Sequence, residues 1–271
     1  MPRGTGLNPA APDRVCITAL ILPPLKSRLS EPPSLLVSVR DLSEAREAIA
    51  GGASILDIKE PQAGPLGRAS HEVMEAVAGL AGLQDTGGVS VSAALGDLDA
   101  REDPRSFPVP RGVAFFKLGL AGWGGRAAWD LLLDRWRERL EDEHASLVAV
   151  AYADWKSANA PEPNAILAHA ESRELKFLLV DTFVKRGRTL RDALPDDDLA
   201  LLIARAHGAG LRIALAGSLS LADIAPLCAL GPDVIAVRGA ACGEGGRLGT
   251  VQATMVSLLS QALATQKRRP S

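Results

Sequence analysis

The chain has 271 residues, 47% hydrophobic and 23% charged, the balance of a globular protein. A formal net charge of −2 and 4% aromatic residues give no general attraction to nucleic acid or an anionic membrane and no base-stacking surface. No apolar run reaches the roughly 18 residues that a transmembrane helix needs, and the length suits either one (β/α)8 barrel of about 250 residues or two ordinary domains.

In chain order, residues 1–33 carry Pro2, Pro9, Pro12, Pro23, Pro24, Pro32 and Pro33, which break regular elements. The apolar stretch 15–25 is short and lacks a convincing small-residue cleavage site, so 1–33 reads as a partly disordered extension rather than a secretory signal. Apolar strand-like runs follow at 35–39, 55–59, 89–93, 115–118, 147–152, 177–180, 211–216 and 234–237. Helical stretches alternate with them at 41–50, 71–78, 126–143, 164–172, 196–207, 221–230 and 250–264. Near-continuous apolar strands are those of a parallel sheet covered on both faces. Eight βα units predict a single TIM barrel over 34–265, with a doubly wound open sheet as the alternative. The third unit is reduced: Pro104, Pro108 and Pro110 leave room only for a loop or a stub of helix. Residues 266–271 read as a solvated tail.

Three cysteines, Cys16, Cys228 and Cys242, lack CxxC spacing, and His71, His144, His169 and His207 show no HExxH or paired pattern. No disulfide framework and no metal site is indicated, and a reduced cytoplasmic setting fits. Trp123, Trp129 and Trp136 near the fourth helix serve either the core or a contact in a homo-oligomer.

Only seven of the 30 basic residues are lysine, so a lysine inside an apolar strand stands out. Unlike arginine, a desolvated lysine can lose its proton and attack a carbonyl. In a barrel the chemistry sits where strands end. The second strand ends Asp57-Ile58-Lys59, the fourth holds Lys117, the fifth ends Tyr152-Ala153-Asp154, and the sixth ends at Asp181 with Lys185 four residues on. Asp57 and Lys59 are two apart and share a strand face. Such a set either shapes a neutral amine among charged neighbours or forms a salt-bridged rim. Gly217 and Ser218 after the seventh strand, with Arg238 and Gly239 after the eighth, occupy the common phosphate position of barrels, although each pair alone is an ordinary turn. Residues 243–246, Gly-Glu-Gly-Gly, read as a flexible loop and not a dinucleotide fingerprint.

The motifs LLVSVRDLSEAREAIAGGASILDIKEPQAGPLG, VSAALGD, FFKLGL, AYAD, LLVDTFVKRGRTL, IALAGSL and IAVRGAAC together resemble the (5-formylfuran-3-yl)methyl phosphate synthase family from Leu35 to the last helix. The resemblance implies condensation of two glyceraldehyde 3-phosphate molecules to 4-(hydroxymethyl)-2-furancarboxaldehyde phosphate, with loss of phosphate and water. It places the chain in methanofuran-type cofactor biosynthesis for one-carbon metabolism, as a lyase. It further implies Lys59 as the Schiff-base residue and Lys117 as proton acceptor, with Asp57, Asp181 and Lys185 as supporting groups. Asp154, Gly217, Ser218, Arg238 and Gly239 are the expected substrate and phosphate contacts. The chemistry calls for no metal or organic cofactor and for no macromolecular partner. The competing readings are a class I aldolase acting on another sugar phosphate and a non-catalytic barrel that binds a phosphorylated ligand.

Overall fold

A computed structural model describes residues 32–83, 88–185 and 187–266. The expected extension and tail, with Cys16, therefore lie outside the described residues except for residues 32, 33 and 266. Strands Ser34–Val39 (β1), Ile55–Ile58 (β2), Ser90–Asp97 (β3), Phe115–Gly119 (β4), Ser146–Tyr152 (β5), Phe177–Asp181 (β6), Arg212–Leu215 (β7) and Val234–Val237 (β8) close into a barrel in chain order. All neighbouring pairs are parallel, including β8 with β1. The barrel is the architecture expected from the alternating pattern, and the open sheet is set aside.

Helices Leu42–Ala50 (α1), His71–Ala81 (α2), Trp129–Glu141 (α3), Trp155–Ala158 (α4), Pro163–Ser172 (α5), Leu190–Ala193 (α6), Asp196–Gly208 (α7), Ile224–Ala229 (α8) and Ala253–Ala264 (α9) surround it. Two of them start for a clear local reason. The Asp41 carboxylate accepts the Glu44 N–H at 2.9 Å and so caps α1. Helix α3 begins later than its sequence pattern suggests because Ala128 adopts a left-handed conformation, φ 69°. The single helix expected over 221–230 is instead a 3-10 turn, Leu221–Asp223, running into α8.

Side chains alternate along the strands between two apolar layers. Leu35, Val37 and Val39 of β1, like Leu147, Ala149 and Ala151 of β5, join the cluster shared with the helices. Leu36 of β1, with Val148, Val150 and Tyr152 of β5, joins a separate cluster inside the barrel. Two-sided burial of this kind stabilises by about 25 cal/mol per Å² of apolar surface removed from water, and it explains why the strands read as continuous apolar runs.

The third unit is indeed reduced: only the 3-10 turn Pro104–Ser106 stands between β3 and β4. Phe107 closes the wall instead, edge-on to Phe116 at 5.8 Å and tilted on Trp136 at 5.6 Å. Above it, Arg68 lies 5.4 Å from the Phe107 ring centre and pairs with both Glu102 oxygens. Trp123 and Trp136 are buried and Trp129 packs partly against the same core, so these rings serve packing.

Candidate active site

The interior register delivers polar groups to the C-terminal end of the barrel. Ser38, Asp57 and Ser92 are ladder partners on β1, β2 and β3. Their side chains meet: Ser38 Oγ donates to Asp57 Oδ2 at 2.9 Å and Ser92 Oγ to Oδ1 at 2.9 Å. Lys117 Nζ, from β4, also donates to Asp57 Oδ1. Both members of this ion pair are buried, Lys117 at 4% and Asp57 at 1% exposure. A lone buried charge would cost several kcal/mol, so each makes the other tenable.

A second ion pair stands opposite. Lys185 Nζ donates to Asp181 Oδ1 at 2.5 Å and to Thr182 Oγ1 at 3.5 Å. Burial works to raise the Asp181 pKa, but the charges of Lys185 and Lys59 and two hydrogen bonds outweigh it and hold the carboxyl below its ordinary value.

Lys59 differs from both. It lines the same cavity, and its amine makes no hydrogen bond or ion pair among the described residues. Burial lowers its pKa to about 8; Asp57 and Asp181 pull upward, while Lys185 and Lys117 push further down. Three amines thus share two carboxylates, and the unpaired one is a base strong enough, and neutral often enough, to attack a carbonyl.

The cavity, about 440 Å³, is also lined by Gly217, Ser218, Arg238, Gly239 and Arg247 from the loops after β7 and β8. The N–H groups of Gly217 and Ser218 have no partner among the described residues. Gly217 has φ +117°, and a Cβ there would sit 2.9 Å from Thr182 Cγ2, so the close approach of this loop to β6 requires glycine. Lys117 also lines a second cavity, about 430 Å³, at the N-terminal ends of the strands, where it meets Phe115, Phe177 and other apolar residues.

Three expectations meet a different arrangement in the structure. Arg238 was expected to hold phosphate, but all five of its N–H donors are engaged. Nε bonds Arg247 O at 2.7 Å, Nη1 bonds Ser38 O and Glu44 Oε2 at 2.8 Å each, and Nη2 bonds Glu44 Oε1 at 3.2 Å and Gly249 O at 3.1 Å. A fully occupied fork has nothing left for an anion; Arg238 clamps β1, α1 and the loop after β8 together. Asp154 was expected to touch substrate, but its oxygens accept the Phe183 N–H at 2.6 Å and the Val184 N–H at 2.9 Å, and it does not line the cavity. It ties the end of β5 to the loop that carries Lys185. The stretch 243–246, expected to be flexible, forms a compact turn in which a Cβ on Gly249 would lie 2.3 Å from Glu244 O.

The sequence reading passed over Ser38 and Ser92, although their ladder positions opposite Asp57 carry the signal. It also passed over Asp97, whose Oδ1 accepts from Tyr152 OH at 2.8 Å and from Ala121 N at 3.0 Å. Burial, and then the Asp97 charge, push the Tyr152 hydroxyl pKa far upward, so this phenol stays a donor. Among the described residues no three His, Cys, Asp or Glu side chains converge as a metal site.

Residues 35–260 match the family described as 4-HFC-P synthase. The chain is 35% identical over 243 residues to the (5-formylfuran-3-yl)methyl phosphate synthase of Methanopyrus kandleri, covering 86% of this chain and 99% of that one. It is 35% identical over 219 residues to the synthase of the same name from Methanocaldococcus jannaschii, covering 79% and 92%. The chain belongs to the 4-HFC-P synthase family. Its barrel also superposes on 3-hexulose-6-phosphate synthase from Salmonella typhimurium, with a TM-score of 0.59, 17% identity and coverage of 85% and 98%. For KGPDC from Streptococcus mutans the TM-score is 0.58 at 14% identity, with coverage of 85% and 97%. These two likenesses concern the fold alone. As a synthase of this family the protein is an enzyme acting on a small phosphorylated molecule, and no helix among the described residues is long and apolar enough to cross a membrane.

Proposed function

We propose that this synthase condenses two molecules of glyceraldehyde 3-phosphate through an imine on Lys59, giving 4-(hydroxymethyl)-2-furancarboxaldehyde phosphate. One observation carries the reading: of the three lysines that line the cavity among the described residues, Lys59 is the one without a carboxylate partner, and burial lowers its pKa to about 8. Its neutral form attacks one triose phosphate carbonyl, and the imine forms with loss of water. The protonated imine is an electron sink that acidifies the adjacent C–H. Asp57 first takes a proton from the Lys117 ammonium, and the amine so freed takes the C–H proton. The resulting carbon nucleophile adds to the carbonyl of the second triose phosphate. Elimination of one phosphate, closure through oxygen and dehydration then give the furan, and hydrolysis frees Lys59. The net balance is one phosphate and two waters lost, which makes the enzyme a carbon–oxygen lyase.

Asp181 and Lys185 exchange protons with the intermediates on the opposite wall, and Gly217, Ser218 and Gly239 offer backbone N–H groups to the retained phosphate. On the same reading the enzyme needs no metal or organic cofactor, works in the cytoplasm and serves methanofuran-type biosynthesis. A net charge of −2 supports the absence of a nucleic-acid partner.

The test is incubation with glyceraldehyde 3-phosphate and borohydride, with the adduct located by peptide mass spectrometry and furan absorbance followed in a parallel sample without reductant. An adduct on Lys59 together with a furan signal is expected. A Lys59 adduct without furan would point to an aldolase. Furan with the adduct on Lys117 or Lys185 would overturn the roles. Loss of both signals would point to another substrate or to a ligand-binding barrel.

A further inference from the structure

With Arg238 committed to its clamp, the cavity still contains one guanidinium with donors to spare. Arg247 lies in the 3-10 turn Gly246–Leu248, is half-buried and lines the cavity. Its Nη2 donates to Pro61 O at 3.1 Å and Gly64 O at 3.0 Å, two carbonyls in the turn just beyond Lys59. Its Nε and Nη1 make no hydrogen bond among the described residues, and no carboxylate lies within ion-pair distance of it. Its backbone is held from the other side, since Arg247 O accepts from Arg238 Nε at 2.7 Å.

The other cations facing the cavity are accounted for. Lys117 and Lys185 are paired with Asp57 and Asp181 and Arg238 with Glu44, and Lys59 is the amine that the proposed chemistry uses. Arg247 is therefore a fixed positive charge with no ion-pair partner among the described residues, Asp181 acting on it only from a distance, and it adjoins the glycine loop: a Cβ on Gly239 would meet Arg247 N at 3.5 Å. A guanidinium stays protonated even when burial lowers its pKa, and a fork already fixed on one side loses little freedom when it binds an anion.

We infer that Arg247, and not Arg238, is the arginine that grips a substrate phosphate, beside Gly239 and the backbone of Gly217 and Ser218. The inference rests on the reading of this cavity as a triose phosphate site. The clamp and the grip are then separate tasks of two arginines nine positions apart: Arg238 builds the loop, and Arg247 is what the loop presents.

The experiment measures binding of inorganic phosphate by calorimetry in the wild type, Arg247→Gln and Arg247→Lys, with thermal unfolding of each as the check on folding. Reductive trapping on Lys59 is compared for glyceraldehyde 3-phosphate and unphosphorylated glyceraldehyde. Arg247→Gln is expected to weaken phosphate at least tenfold, and to depress trapping by the phosphorylated aldehyde at least tenfold more than by the unphosphorylated one. Arg247→Lys keeps the charge and loses the fork, so an intermediate loss is expected; this variant carries the test if the glutamine variant does not fold. Unchanged phosphate affinity in both variants, or equal loss with both aldehydes, would mean that Arg247 only latches the turn after Lys59, and would overturn the inference. A wild type that binds no phosphate would overturn the inference and the triose phosphate reading together, whereas failure in the variants alone leaves that reading standing.

Discussion

Replacing Lys59 by methionine should stabilise the protein while abolishing its chemistry. The folded state holds the Lys59 pKa at about 8 against an ordinary 10.5. Each tenfold change in proton affinity corresponds to about 1.4 kcal/mol, so keeping this amine charged in the fold costs at most about 3.5 kcal/mol. Methionine has a similar length, no charge and a flexible stem, and it removes that cost. The sign follows from proton counting. Below pH 8 the wild type is protonated folded and unfolded, and it bears the whole cost. Between 8 and 10.5 the folded form has shed its proton and the unfolded form has not, so wild-type stability rises. Above 10.5 both are neutral and the cost is gone. The advantage of Lys59→Met is therefore full at pH 7 and fades as pH rises through that window. Urea unfolding at pH 7.0 and pH 9.5, with equal m-values as the two-state check, measures it. An advantage that is absent, or equal at both pH values, would refute the argument that burial depresses this amine.

Other expectations follow from the same geometry. The rate of reductive trapping on Lys59 should rise with pH, reach half its maximum near pH 8 and level off above that, and a profile still climbing past pH 10 would show an ordinary lysine. Asp154→Asn should slow turnover at least tenfold with less effect on trapping, because it weakens two charge-assisted bonds, each worth about 1.5–3 kcal/mol, that hold the Lys185 loop; kcat and trapping rates measured side by side distinguish this from a lost substrate contact. Arg238→Met should cost about 3–5 kcal/mol in chemical denaturation, since Glu44, fully buried, would keep only its pair with half-buried Arg40. The double variant Arg238→Met, Glu44→Leu should recover part of that loss.

The barrel was legible because its physical signal is redundant. Eight two-faced strands leave eight apolar runs, and a miss in any one of them would not change the fold. The reduced third unit was equally legible, since three prolines in a short connection exclude a helix wherever they point. The repair of that wall was not: Phe107 is an unremarkable aromatic until Phe116 and Trp136 are brought against it. The charged residues of the site were visible as types and as strand ends. Their pairing was not, because it depends on atoms brought together from distant strands. Asp57 and Lys59 share a face two residues apart, yet Asp57 reaches past its neighbour to Lys117, 60 positions along the chain. Arg238 and Arg247 show the same limit. Both sit in a basic, glycine-rich loop after β8, and only the donors already spent on Glu44 and three carbonyls tell a clamp from a free fork.

The pairing also accounts for how one amine is singled out. A barrel interior is too apolar to hold three ammonium groups without compensation. The strands supply two carboxylates, Asp57 from β2 and Asp181 from β6, and each is anchored by further donors: Ser38 and Ser92 on the first, the Thr182 N–H on the second. Those anchors fix where the negative charge sits and so which lysines can reach it. Lys117 and Lys185 do. Lys59 is left without a hydrogen-bonded partner, and the least costly answer to its burial is to shed a proton. The proposed nucleophile would thus be selected less by anything at position 59 than by two serines and a backbone amide that hold the carboxylates to the other amines. On this account Ser38→Ala and Ser92→Ala together, which touch neither lysine, should loosen Asp57, strengthen its pull on Lys59 and move the trapping profile to higher pH. An unmoved profile would show that burial of Lys59 alone sets its basicity.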